Sequence, residues 1–108
     1  MDVELAPVIA DFFSAEERRD PEALARCFAQ GAVVRDEGET IRGHSAIQEW
    51  QFATKKKYQH TTKPLASVQR DGKTVVSARI TGNFPGSPAD LQFAFEVEVG
   101  KIVSLEIK

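Results

Sequence analysis

The chain has 108 residues, 42% of them apolar, and a formal net charge of −2. That is one folded domain: too short for two and too apolar for disorder. Fourteen basic residues against sixteen acidic ones give no electrostatic reason to expect nucleic acid. A single cysteine, Cys27, excludes an intrachain disulfide and a multi-cysteine metal site. No run approaches the roughly 18 apolar residues of a membrane span, and no leader pattern opens the chain. The expectation is a cytoplasmic protein with no membrane partner.

In chain order, Val3, Leu5, Ala6, Val8, Ile9, Phe12 and Phe13 recur at helical spacing, so residues 3–18 are expected as a helix. Asp2 is its expected cap, and Pro7 is tolerable only near the first turns. Asp20-Pro21-Glu22 opens a second short helix, with Asp20 as cap and Pro21 in the first helical position. Leu24, Cys27 and Phe28 form its apolar stripe, and Gly31 is expected to stop it. Cys27 reads as a small buried hydrophobe.

Residues 32–36 and 39–42 are two expected strands around a Glu37-Gly38 turn. A third helix is expected over 45–58, opened by a Ser45/Gln48 capping box. Ile47, Trp50, Ala53 or Thr54, and Tyr58 supply its apolar face. Lys55-Lys56-Lys57 reads as a solvated charge run. The period then changes to two. Strands are expected over 61–70, 73–84, 89–99 and 102–108, with Asp71-Gly72 as a two-residue hairpin turn. Leu91, Phe93, Phe95, Val97 and Val99 are expected on one face of the third of these. Helices first and a long antiparallel run of strands afterwards define an α+β class, with three N-terminal helices on one face of a curved, mainly antiparallel sheet.

Three stretches carry a resemblance: "DPEALARCFAQGAVVRDEG", "GHSAIQEW" and "GKIVSLEIK". In this order they resemble the nuclear transport factor 2-like superfamily, and within it the SnoaL-like and ketosteroid-isomerase-like branches, over the whole of residues 1–108. The resemblance implies a conical half-barrel closed by helices over an apolar pocket, paired through its sheets into a homodimer. It also gives Asp36 a meaning, because the isomerase branch places its general base at the end of the first strand. Alternation puts Val34 and Asp36 on one face, so an inward Val34 carries Asp36 inward too.

The same resemblance removes ketosteroid isomerisation itself. The helix position matching the oxyanion-hole tyrosine of that enzyme is Phe12, which donates no hydrogen bond. Near the second oxyanion-hole position Asp90 stands, but alternation with Leu91 and Phe93 points it outward. The candidate site is therefore Asp36 as acid–base, with His60 (or Tyr58) as its partner, in a pocket lined by Phe12, Val34, Trp50, Tyr58 and Phe93. His44 is expected in a solvated or capping role. The two histidines lack the spacing of a metal site, so neither metal nor cofactor is expected. Three readings stay open: a cofactor-free isomerase, cyclase or dehydratase; a non-catalytic pocket for a small apolar ligand; and a dimeric interaction domain with an incidental pocket. The expected dimer face carries Ser77, Arg79, Thr81, Gln92, Ala94 and Glu96.

Overall fold

The computed structural model describes residues 4–108. The expected cap Asp2 and the start of the first helix at Val3 lie outside the described residues. Residues 4–6 are not helical; α1 (Pro7–Glu17) begins at Pro7, whose missing N–H costs nothing in the first turn. It is followed by α2 (Pro21–Arg26), β1 (Phe28–Asp36), β2 (Glu39–Arg42), α3 (His44–Tyr58), β3 (Thr61–Arg70), β4 (Lys73–Thr81), β5 (Ala89–Glu98) and β6 (Lys101–Ile107). No described helix is long and apolar enough to cross a membrane.

The six strands form one open sheet in the order β2-β1-β6-β5-β4-β3. Every pairing is antiparallel except that of β1 with β6. α1 lies against β3 and β6, α3 against β1 and β2, and α2 bridges the two helices. This is an α+β half-barrel with all its helices on one face.

Local chemistry explains most boundaries. Asp20 accepts a hydrogen bond from the Ala23 amide at 3.0 Å, the expected cap of α2. Asp71 and Gly72 both take positive φ, 53° and 76°, as a type I′ hairpin turn requires. Four boundaries differ from expectation. Gly31 does not stop α2. It sits inside β1 with φ of 77°, where the register with β6 shifts between Phe28 and Val33, so it forms a bulge and Phe28 already belongs to the strand. The Ser45/Gln48 capping box does not form, because Gly43 is the cap and places Ser45 inside the first turn. The strand expected over 73–84 ends at Thr81. Val99 leaves β5 for the turn and is fully exposed.

The interior has an aromatic centre. Phe12 packs edge-on against Phe13, Phe28, Phe93 and Phe95, with ring centroids 5.1 to 6.3 Å apart. Ile9, Val34, Ile47, Val76, Ile102 and Leu105 close around it. Phe12 and Val34 are fully buried. Cys27 is buried as expected, and burial pushes its thiol pKa up.

Candidate functional site

Beside the aromatic core lies a cavity of about 560 Å³ between α1, α3 and the inner face of β4 and β5. Its apolar wall comes from Trp50, Ile80, Phe84, Leu91, Phe93 and Ile107. The alternation of β1 carries through: Val34 faces inward and is fully buried, so Asp36, two residues on, also turns inward and reaches the cavity. Trp50 Nε1–H donates to Asp36 Oδ2 at 3.0 Å. Burial raises the Asp36 pKa from its ordinary value; hydrogen bonds from Trp50 and the Glu37 backbone oppose that shift, and the charges of Glu37 and Glu39 add to it.

Trp50, Thr54 and Tyr58 follow one another along α3 at helical spacing and give the cavity one wall. Ala53, the alternative to Thr54, is exposed. The Tyr58 hydroxyl donates to Glu37 Oε1 at 2.7 Å. That bond ties the end of α3 to the β1–β2 turn and engages the hydroxyl as a donor. Two residues expected on the cavity wall are not there. Phe12 and Val34 lie behind it in the core, because the aromatic cluster uses the whole Phe12 ring and Val34 packs under the helices. Phe93 does both: it is part of the cluster and its ring meets the cavity.

His60 also lines the cavity and is 7% exposed. Its Nε2 stands 4.0 Å from Glu16 Oε2. Lys55 Nζ donates to Glu16 Oε1 at 3.0 Å and to the His60 carbonyl at 2.9 Å. Burial holds the His60 pKa below its ordinary value; Lys55 adds to this and Glu16 opposes it. Asp36, His60 and Glu16 thus all line the cavity, and Lys55, which does not, holds Glu16 and the His60 carbonyl from outside it. His44 is elsewhere: its Nε2–H donates to the Phe28 carbonyl at 2.7 Å, fastening α3 to β1. Asp90 points outward and is held by Arg79 at 2.9 and 3.2 Å. No described group of three or more His, Cys, Asp or Glu side chains is placed to hold a metal ion.

Three residues of this arrangement escape a sequence reading. Glu16 continues the buried stripe Ile9-Phe12-Phe13 of α1, and Gln51 and Lys55 continue the stripe from Ile47 along α3. Lys55 is therefore not part of a solvated run: it is 5% exposed, while Lys56 and Lys57 face solvent. The available signal was phase, a charged residue at the spacing of the buried face.

Three helices covering one face of an open six-stranded mixed sheet in this order is the nuclear transport factor 2-like fold. The chain belongs to the family of SnoaL-like domains, which matches residues 9–105. Among solved structures it is similar to a "putative polyketide cyclase" from Sinorhizobium meliloti, with 38% identity, a TM-score of 0.92, and coverage of 96% of this chain and 95% of that one. A hypothetical protein with a ketosteroid isomerase-like fold from Catenulispora acidiphila, solved with trimethylamine, is 17% identical with a TM-score of 0.84 over 97% of this chain and 86% of that one. An uncharacterised cystatin-fold protein from Novosphingobium aromaticivorans is 14% identical with a TM-score of 0.76 over 94% of each chain. The last two likenesses concern the fold alone. No curated protein matches.

Proposed function

We propose that the cavity binds a small, largely apolar molecule and that Asp36 exchanges a proton with it, in cofactor-independent chemistry of the cyclase or isomerase type. The observation that carries this reading is Asp36 itself. A carboxyl group at an apolar cavity wall, made a stronger base by burial and oriented by the Trp50 N–H, suits removal of a proton beside a carbonyl near neutral pH. The likeness to a protein named as a polyketide cyclase supports the same class, since closing a ring on a polyketide starts with such a proton removal. His60, neutral and facing the same cavity, is the candidate partner that takes or returns a proton. Steroid isomerisation is not proposed, because Phe12 supplies no oxyanion donor. The chain is further proposed to act as a homodimer through the outer face of β4 and β5, where Ser77 lies opposite Gln92 and Val75 opposite Ala94.

The test is exchange of the acidic C–H of 2-tetralone for solvent deuterium, followed by NMR. The full chain should accelerate exchange, and Asp36→Asn should reduce the acceleration by about 10²-fold or more. Saturable binding without accelerated exchange would make the protein a container. Equal exchange with and without Asp36 would remove Asp36 from the chemistry. Light scattering at micromolar concentration tests the dimer, and a monomer overturns it.

A further inference from the structure

One buried carboxylate meets two groups that can carry positive charge. Glu16 of α1 is 4% exposed. Lys55 Nζ donates to its Oε1 at 3.0 Å, and His60 Nε2 stands 4.0 Å from its Oε2. One negative charge balances one positive charge. Lys55 is the nearer of the two, and an ammonium group keeps its charge across the neutral range. With that pair made, an imidazolium at His60 has no countercharge of its own, and burial makes such a charge costly.

Lys55 is also not placed as its neighbours are. Lys56 and Lys57 face solvent and complement the C-terminal end of α3 from there. Lys55 turns inward and grips the chain just past the helix. Its carbonyl accepts from the Gln59 amide at 2.8 Å, and its Nζ donates to the His60 carbonyl at 2.9 Å. Gly82 closes on the same segment: a Cβ there would fall 2.8 Å from His60 Cα and Cβ and from the Tyr58 carbonyl oxygen. The Asn83 amide donates to that carbonyl at 2.7 Å. The His60 main chain is thus held between Lys55 and the residues that follow β4, while its side chain lines a cavity that Lys55 does not enter.

We propose that Lys55 is a positioning residue for His60: it serves as the countercharge of Glu16, so that His60 faces the cavity as a free base, and it fixes the His60 main chain through its carbonyl. This rests on the reading that His60 exchanges a proton with the ligand of the cavity, and it names what keeps His60 able to accept one. The charged groups acting on the imidazole are Lys55 of α3, Glu16 of α1 and Arg19 just after α1. Tyr58 packs edge-on at 6.4 Å with its hydroxyl engaged by Glu37, and Gly82 brings no charge. Burial lowers the His60 pKa, Lys55 and Arg19 lower it further, and Glu16 raises it. Without Lys55, Glu16 recruits His60 as its cation, and an imidazolium accepts no proton.

The test is NMR titration of His60 in the full chain. In the unaltered chain it should titrate below about 6.5. Lys55→Met should raise the midpoint by about one pH unit, and Glu16→Gln should lower it. Lys55→Met combined with Glu16→Gln removes both charges and should return the midpoint close to the unaltered one. In deuterium exchange of 2-tetralone, the limb of the rate profile set by His60 should move up with it in Lys55→Met. The rate then falls by up to about tenfold on the acid side and is regained by pH 9. A His60 midpoint that stays in place in Lys55→Met overturns the proposal. So does a midpoint above about 6.5 in the unaltered chain, a result that needs no variant to fold. A loss of rate that is equal at every pH makes Lys55 a structural residue only and overturns it as well. If the unaltered chain does not accelerate exchange, the catalytic reading of the cavity falls, and the His60 titrations still decide the role of Lys55.

Discussion

Two halves of the interior share the same helices and differ in almost everything else. On one side Phe12, Phe13, Phe28, Phe93 and Phe95 pack ring against ring. On the other, Glu16, Gln51, Lys55 and His60 bring charge and hydrogen-bonding groups to nearly the same degree of burial. One turn of α1 separates the two chemistries, since Phe12 and Glu16 are neighbours on one helix face. The aromatic half gains stability from dispersion and from area removed from water. The polar half gains little net stability, because desolvation offsets most of what a buried ion pair returns.

Substitutions can break that contrast. Phe12→Ala should have the largest effect, about 3–5 kcal/mol by denaturant unfolding, because the ring is enclosed on all sides. Phe93→Ala should cost clearly less, since part of that ring already faces open space; equal losses would mean the cavity collapses around both. Lys55→Met follows at about 3 kcal/mol, because it leaves the Glu16 carboxylate buried without its countercharge. Adding Glu16→Gln to Lys55→Met should recover most of that loss. If the double variant is as unstable as the single one, the pair matters for shape and not for charge.

The titrating groups sharpen the same comparison through pH. Burial raises the Asp36 pKa, so the folded state binds that proton more tightly than the unfolded chain. Its contribution is fully present below the ordinary carboxylate value and is lost as pH rises through the raised one. His60 is shifted the other way. Its contribution is present above the ordinary imidazole value, near 6.5, and is lost as pH falls through the lowered one. Asp36→Asn should therefore be neutral or stabilising by up to about 1 kcal/mol at pH 7, with no gain in acid. His60→Asn should flatten the loss of stability below about pH 6.5. Parallel unfolding curves of His60→Asn and the unaltered chain across that range would mean that the imidazole is not desolvated. The smallest effect belongs to Phe52→Ser. That ring is 61% exposed, and the change should stay within about 0.5 kcal/mol.

Most of the fold was legible in the sequence, because its signals are local. Asp20-Pro21 marks a helix start, Asp71-Gly72 a hairpin, and the alternation Val34/Asp36 a direction. The misread boundaries are those where a local signal has two meanings. Gly31 follows an apolar stripe and looks like a helix end, but pairing with β6, far along the chain, turns it into a bulge. The candidate site was half legible. Asp36, Trp50, Tyr58, Phe93 and His60 were expected at the cavity, and all five line it. Phe12 and Val34 were expected there too and are core, because the sequence tells which face is apolar and not which apolar residues meet empty space. Phase hints that Glu16 and Lys55 are buried, but the partner that makes a buried charge tolerable is 39 positions away in each case.

The place of β6 in the sheet bears on how the chain assembles. It is made after the other five strands, yet it lies between β1 and β5 and joins them. Without β6 the β1–β2 hairpin and the β3–β5 meander share no strand pairing, and each leaves open the hydrogen-bonding edge that β6 covers. Residues 101–107 pair with both. The β1–β6 pairing is among the most sequence-distant in the molecule, so its formation carries the largest loop-closure cost and is the natural late event in folding.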